Sequence, residues 1–514
     1  MKVFYATRKT IRNLILGFLA VAIIISASYI GIISKNRLGN LFSNDDADIN
    51  LNKVSKGLTQ YSISARFSPE KKAVFCEQYT DYTNNTNKEL EEIYFHLYPN
   101  AFRYEDKPVF PPEELERAYP NGFSPGEIRF EHISIKGKSA DFIIEGFSDS
   151  ILKIMLEEPL KPDEKIRIDM VYSVILPNSP GRFGYGANTF NFANWYPIVC
   201  VYADGQWHLD PYYAIGDPFY SDIANYKVEI TAPKDYIIAA TGEIAEEIRE
   251  EGNNKVWNIN AKAVRDFAWI ASDKFKVSAK KVGNTTVYSY YYNPEGGMGA
   301  LDYAASSLEI FNSLFGKYPY PQLSVVQADF FIGGMEYPNL VMIDGTLYGE
   351  ESRDWLELIT AHEVAHQWWY GLVGNNQIKQ AWLDESLTEY STVLYYEQRY
   401  GIEEGQRIYE ELIAKGKYQI FRILTADSDI DETIDRPIYE FDNWVIYDSL
   451  VYGKGAMMFH ELRKEMGDEM FFRMLKEYFK SNQFKNAKPE DLMAACKKIT
   501  GKSWDEFFNS WLYD

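Results

Sequence analysis

The segment His362-Glu363-Val364-Ala365-His366 constrains this 514-residue chain more than any other. On a helix, residues four apart share a face, so both imidazoles reach one point, which is where a shared metal ion fits. The flanks predict that helix: Leu356, Ile359, Val364 and Trp368 are apolar, and neither Gly nor Pro intervenes before Gly371. Glu363, beside the first imidazole, stands where a carboxylate takes a proton from a water polarised by the ion. Two imidazoles do not complete a zinc site, and a third ligand is required. Glu385, in Trp382-Leu383-Asp384-Glu385 on the next expected helix, supplies it. Eighteen residues separate it from His366, enough for a loop and a returning helix. The chain has only six His, so two at this spacing carry weight. The expectation is one Zn2+ per chain, held by His362, His366 and Glu385, with Glu363 as general base.

The rest of the chain predicts an α+β fold in several parts. From Tyr61 to about Phe275 apolar and polar residues alternate: Ile166, Ile168 and Met170 with Lys165, Arg167 and Asp169, then Tyr226, Val228 and Ile230 with Lys227, Glu229 and Thr231. Period two means strands with one buried and one wet face. The stretch from Lys107 to Gly126 holds five prolines and reads as a long surface loop. Beyond Val277 the period changes. Ala304, Leu308, Phe311 and Phe315 follow helical spacing, Leu323 to Ala328 reads as a short buried strand, and helices dominate from Trp355 onward. The expected partition is 1–33 as tip and transmembrane anchor, 34–56 as stalk, 57–277 as β-rich domain and 278–514 as peptidase domain.

Composition narrows the partners. The formal charge of -21 argues against nucleic acid, because phosphate recognition needs clustered Lys and Arg. Cys76, Cys200 and Cys496 show neither metal-type spacing nor an even-numbered framework. Leu14 to Ile33 is an uncharged, mostly apolar run, preceded by Lys2, Arg8, Lys9 and Arg12. At about 1.5 Å per residue it reaches across a hydrocarbon core of about 30 Å, and the basic flank favours an inside N-terminus. The expectation is a single-pass membrane protein with its catalytic part on the extracytoplasmic side. A cleaved signal ending near Ser26-Ala27-Ser28 is the rival reading.

Three motifs together resemble the gluzincin aminopeptidases, the family of membrane alanyl aminopeptidase and leukotriene hydrolase. The metal signature is matched at His362, Glu363, His366 and Glu385. Gly333-Gly334-Met335-Glu336-Tyr337 resembles the family's Gly-x-Met-Glu-Asn segment, which lies on an edge strand where its Glu binds the substrate's α-amine. A fixed carboxylate does this by charge-assisted hydrogen bonding, and the glycines permit close approach of an extended peptide. Tyr452-Gly453-Lys454-Gly455 resembles the family's Tyr-x-Lys-Gly, whose Tyr donates to the developing oxyanion. The resemblance implies a β-rich, saddle-like sandwich domain followed by a thermolysin-like zinc domain with a mixed sheet and a helical C-terminal part. It implies a metallo-aminopeptidase acting on peptides with a free N-terminus. A zinc endopeptidase on the same core and a catalytically silent surface component are the alternatives.

Four departures accompany it. Tyr337 replaces Asn. Ser386-Leu387-Thr388-Glu389 differs from the usual Gly-Phe-Ala-x, which leaves Glu389 either solvated or behind the ligands. Between Gly181 and Tyr202 there is no Glu, Asp or Gln, only Asn188, Asn191 and Asn194, so the β domain's share of the amine site is unassigned. The sequence ends at Asp514 without the family's long helical C-terminal domain, which implies a more open site or one roofed by a partner chain.

Overall fold

Period-two alternation runs through six long strands: β1 (Gln60–Ser68), β2 (Ala73–Thr83), β3 (Glu127–Ile135), β4 (Lys165–Ile175), β5 (Ala224–Pro233) and β6 (Asn254–Val264). In β4 the residues Ile168, Met170, Tyr172 and Val174 are buried, and in β5 so are Tyr226, Val228 and Ile230. The inward face therefore supplies the driving force and the alternation fixes the register. The computed structural model describes residues 49–513. Among them the six strands belong to a nine-stranded sheet, in the order β6-β5-β1-β2-β4-β3. Only the β1–β5 pair is parallel within that path. Two four-stranded sheets accompany it.

The second half is built on a five-stranded mixed sheet. Its strands are β7 (Lys276–Val282), β8 (Thr285–Tyr291), β9 (Gln322–Ala328), β10 (Gly334–Met335) and β11 (Leu340–Asp344), in the order β7-β8-β9-β11-β10. β9 is buried at every position, as a strand covered on both faces must be. Helix α1 (Pro294–Leu314) starts where Asn293 accepts from the Glu295 and Gly296 amides, and it buries Ala304, Leu308 and Phe311. Helices α2 (Arg353–Ala365) and α3 (Trp382–Tyr400) follow. Two longer helices, 402–424 and 444–466, contain π-helical turns at Tyr409–Gln419 and Asp448–Lys454.

The two halves are keyed together by Arg265 at the end of β6, which is almost fully buried. It donates to the Tyr370, Ser221 and Lys485 carbonyls at 2.8, 2.7 and 2.9 Å and to the Asn486 side chain. Gly374 has no Cβ because one would overlap this guanidinium.

Three sequence expectations change here. The reading of an outward-facing, single-pass membrane protein is corrected: among the described residues no helix is long and apolar enough to cross a membrane. The 21-residue α1 has the length but carries Glu295, Asp302 and Glu309 and spends its apolar face on the core. Residues 14–33, on which that reading rested, lie outside the described residues. Within the segment read as a stalk, Leu51–Val54 form a short helix capped by Asn50, and Asn225 donates to the Ser55 carbonyl. The proline-rich stretch from Lys107 to Gly126 is more than a surface loop, since Val109, Phe110 and Ala118 are buried and the Phe110 ring packs on Phe331 at 5.5 Å.

Candidate metal centre and cleft

α2 carries His362 and Glu363, and His366 follows at its C-cap. Glu385 lies in the first turn of α3. The structure brings three ligand atoms together: His366 Nε2 lies 3.2 Å from His362 Nε2 and 3.1 Å from Glu385 Oε2, and His362 Nε2 lies 3.4 Å from that same oxygen. A tetrahedron with bonds of about 2.05 Å has edges of about 3.3 Å, so three corners of a zinc site are already spaced.

The outer ring nitrogens explain why these atoms need a cation. His362 Nδ1 pairs with Glu389 Oε2 at 3.0 Å. His366 Nδ1 faces the Trp369 carbonyl at 2.9 Å and the Thr388 hydroxyl at 3.1 Å. Acceptors on that side place the N–H there, which leaves both Nε2 lone pairs and a carboxylate oxygen facing one another. Only a positive charge satisfies such a set. The same demand is visible in proton affinity: burial alone would lower the His362 pKa, yet Glu385 and Glu389 outweigh it and push it up to about 9. Against burial, which acts the other way, His366 and His362 hold Glu385 well below the usual carboxylate range.

Glu389 is therefore neither solvated nor idle. It holds His362 from behind and is itself faced by Lys417 at 3.7 Å, which pairs with Asp448 and lies 5.0 Å from the Tyr452 ring centroid. Such partners of ligating imidazoles are worth about ten- to a hundredfold in metal affinity. Glu389→Ala is expected to weaken metal binding by that factor in a competition titration with a chelator. An unchanged affinity would make Glu389 a bystander.

Glu363 is buried against β10, the end strand of the five-stranded sheet, and its Oε2 has no protein partner. Burial pushes its carboxyl up to about 8. The double glycine is explained here. A Cβ on Gly334 would sit 2.1 Å from Glu363 Oε1, and Gly333 has φ +92°, in the left-handed region. Met335 is buried beneath Arg182, whose Nε lies 3.1 Å from its sulfur. Glu336 points into the same cleft and accepts from Gln377 Nε2 at 2.9 Å.

Residues 299–511 match the family model described as the peptidase family M1 domain. Over these residues the chain is similar to the peptidase family M1 domain. His362, Glu363, His366, Glu385, Glu336 and Tyr452 all lie inside the matched residues. Aminopeptidase N of Lactococcus lactis subsp. lactis is 30% identical over 224 residues, 41% of this chain and 26% of that protein. Aminopeptidase M1 of Arabidopsis thaliana is 26% identical over 310 residues, 56% of this chain and 34% of that protein. The matched region thus spans no more than 34% of either relative. The crystal structure of the M1 zinc metallopeptidase from Deinococcus radiodurans aligns with a TM-score of 0.63 at 18% identity, covering 89% of this chain and 93% of that one. That coverage takes the likeness of fold beyond residues 299–511 into the β-rich half.

Tyr452 lies in the π-helical turns of the 444–466 helix, with its ring 5.8 Å from that of His362 and 20° from parallel. Two glycines set this position. A Cβ on Gly453 would meet Lys417 Cβ at 3.0 Å, and one on Gly455 would meet Ser386 Oγ at 2.0 Å. Ser386 in turn donates to the Val451 carbonyl at 2.6 Å, so its replacement of Gly is part of the packing that seats Tyr452. Burial, then Glu385, raise the Tyr452 pKa well above its usual value, which keeps the hydroxyl a donor.

Sequence reasoning missed Asp217. It lies in the β-rich half beyond the window searched, in the turn Gly216-Asp217-Pro218, and it is buried. One oxygen each of Asp217, Glu336 and Glu385 lie within 4.8 Å of one another. Arg182 pairs with Asp217 and balances part of this charge. Gly216, with φ +70°, lets the turn approach Tyr447, whose hydroxyl would be 3.0 Å from a Cβ there. Asn188 and Asn191 serve elsewhere, bonding Asp329 and nearby carbonyls. Tyr337 donates to Asn194 at 3.0 Å, so the departure from Asn ties the edge-strand segment to the β-rich half. Asp217, Glu336, Glu363, Tyr452 and the three converging residues His362, His366 and Glu385 line one cleft of about 920 Å³.

Proposed function

We propose that this chain is a zinc aminopeptidase that removes the first residue of peptides with a free N-terminus. The observation that carries the reading is the buried pair Glu336 and Asp217 beside the ligand triad, next to an open sheet edge. Arg182 balances only part of the charge of these two carboxylates, so a further cation is favoured at that depth, and a peptide's terminal ammonium brings one at the distance of one residue from the scissile bond. The names of the Lactococcus and Arabidopsis relatives, both aminopeptidases, support it. The Deinococcus neighbour, a zinc metallopeptidase, supports the choice of metal. We extend the proposal to the partition: 57–277 as the β-rich, saddle-like domain and 278–514 as a thermolysin-like catalytic domain, supported by membership of β7 to β11 in one sheet.

His362, His366 and Glu385 would hold zinc, which supplies Lewis acidity toward the scissile carbonyl and the attacking water. Glu336 and Asp217 fix the ammonium, and the β10 edge aligns the backbone by main-chain hydrogen bonds. Glu363 takes the proton of the attacking water and delivers it to the leaving amine. Tyr452 donates to the oxygen on which negative charge grows. An endopeptidase would have to press an uncharged internal segment against Glu336 and Asp217, with Arg182 balancing only part of their charge. A silent component would have no use for Glu363, which lines the cleft with one oxygen left without a hydrogen-bond partner.

The test compares a free peptide with its Nα-acetylated form. The wild type should cut only the free one. Glu336→Gln and Asp217→Asn should each lower kcat/KM for it by about a hundredfold, the cost of about 3 kcal/mol for removing one side of a buried charge pair. Internal cleavage of the acetylated peptide at a comparable rate would replace this reading with the endopeptidase.

A further inference from the structure

The cleft continues beyond the ligand triad, and its outer walls bear on the substrate residues that come after the first. The inference rests on the aminopeptidase reading for one point, the seat of the N-terminus at Glu336. From there a peptide paired with β10 has two directions. Forward along the chain, Tyr337, Pro338 and Asn339 are buried and close the path. Backward, Gly334, Gly333 and Ile332 are partly open, as is Phe331. The peptide therefore runs antiparallel to β10, from Glu336 toward Phe331.

Two helices flank that course. α2 presents Ile359, Leu358 and Trp355 to the cleft, receding by successive turns from His362. The 402–424 helix presents Leu412, Ile420 and Leu424, again at turn spacing. Trp355, Ile420 and Leu424 are 54%, 51% and 75% exposed, and Ile423 beside them is 74% exposed. Single exposed apolar residues are ordinary on a protein surface. Several on the rim of one cleft, continuous with its apolar walls, mark a binding surface.

We propose that Trp355, Leu358, Ile420 and Leu424 form the subsites for the residues after the scissile bond, and that the favoured substrates carry large apolar side chains at positions two to four. The occupant is the substrate itself, because the patch is part of the same cavity as His362 and Glu336 and lies on the open course from the amine site.

Binding separates this from the activity. The zinc-loaded Glu363→Gln protein is titrated calorimetrically with two hexapeptides that differ only at positions two to four, Leu in one and Ser in the other. The Leu peptide should bind at least about tenfold more tightly, as apolar pockets discriminate by such factors. Adding Trp355→Ala and Leu424→Ser should bring the two affinities within about twofold of each other. Both side chains are more than half exposed, and zinc content and melting temperature verify the fold. Equal affinities in the parent, or discrimination that survives both substitutions, overturns the proposal. So does concentration-dependent dimerisation that the two substitutions abolish without any peptide discrimination, since it assigns the rim to a second copy of the chain. Failure of the aminopeptidase reading appears separately, as an absence of aminoacyl-amide hydrolysis by the wild type.

Discussion

Glu363→Gln is expected to lower kcat by about a hundred- to ten-thousandfold, the range for loss of a positioned general base. The amide matches the carboxylate in shape, so it fits against Gly334, where no Cβ could be accommodated. It cannot take a proton from water at neutral pH. The side chain is absent from the trio that converges on one point, so metal content should stay at one ion per chain. Steady-state kinetics and elemental analysis of the same preparations check both halves of the expectation. Turnover above a tenth of wild type would move the base to another group. Loss of metal would show that Glu363 supports the site in some other way.

Tyr452→Phe is expected to cost about a hundred- to a thousandfold in kcat, or about 3–4 kcal/mol, with little change in KM. The hydroxyl is proposed to meet charge that exists only in the transition state, so its removal falls on the chemical step. The ring remains, and with it the contacts to His362 and Tyr447. Metal content should again be unchanged. A kcat within about threefold of wild type would make Tyr452 a packing residue, leaving the metal to stabilise the oxyanion without it.

The parts of this site that depend on spacing along one element were legible in the sequence. His362 and His366 are four apart on a helix, whereas the double glycine reads only as room for an extended peptide until Glu363 is seen against Gly334. The contacts that join distant elements were not legible. Asp217 reaches Glu336 because a Gly-Asp-Pro turn of the β-rich half is folded over the cleft, and neither period nor motif encodes that approach. Glu389 stayed open between two readings because its meaning depends on Lys417, which arrives on the 402–424 helix. Tyr337 reads as a motif error until Asn194 is seen across from it. The large sheet was legible as strands from alternation, whereas its order, with β1 parallel to β5, depends on pairings more than 150 residues apart.

Arg265 carries a consequence for how the molecule comes apart. Its donors reach Tyr370, Lys485 and Asn486 from across the boundary between the halves, at a depth where its charge is almost wholly enclosed by protein. Separating the halves strands a guanidinium on one side and three acceptors on the other, in surfaces otherwise shaped to exclude solvent. Loss of the β-rich half and loss of metal binding are therefore expected at one midpoint when the protein is heated, despite its two architectures, and two separate calorimetric transitions would show that Arg265 does not couple the halves.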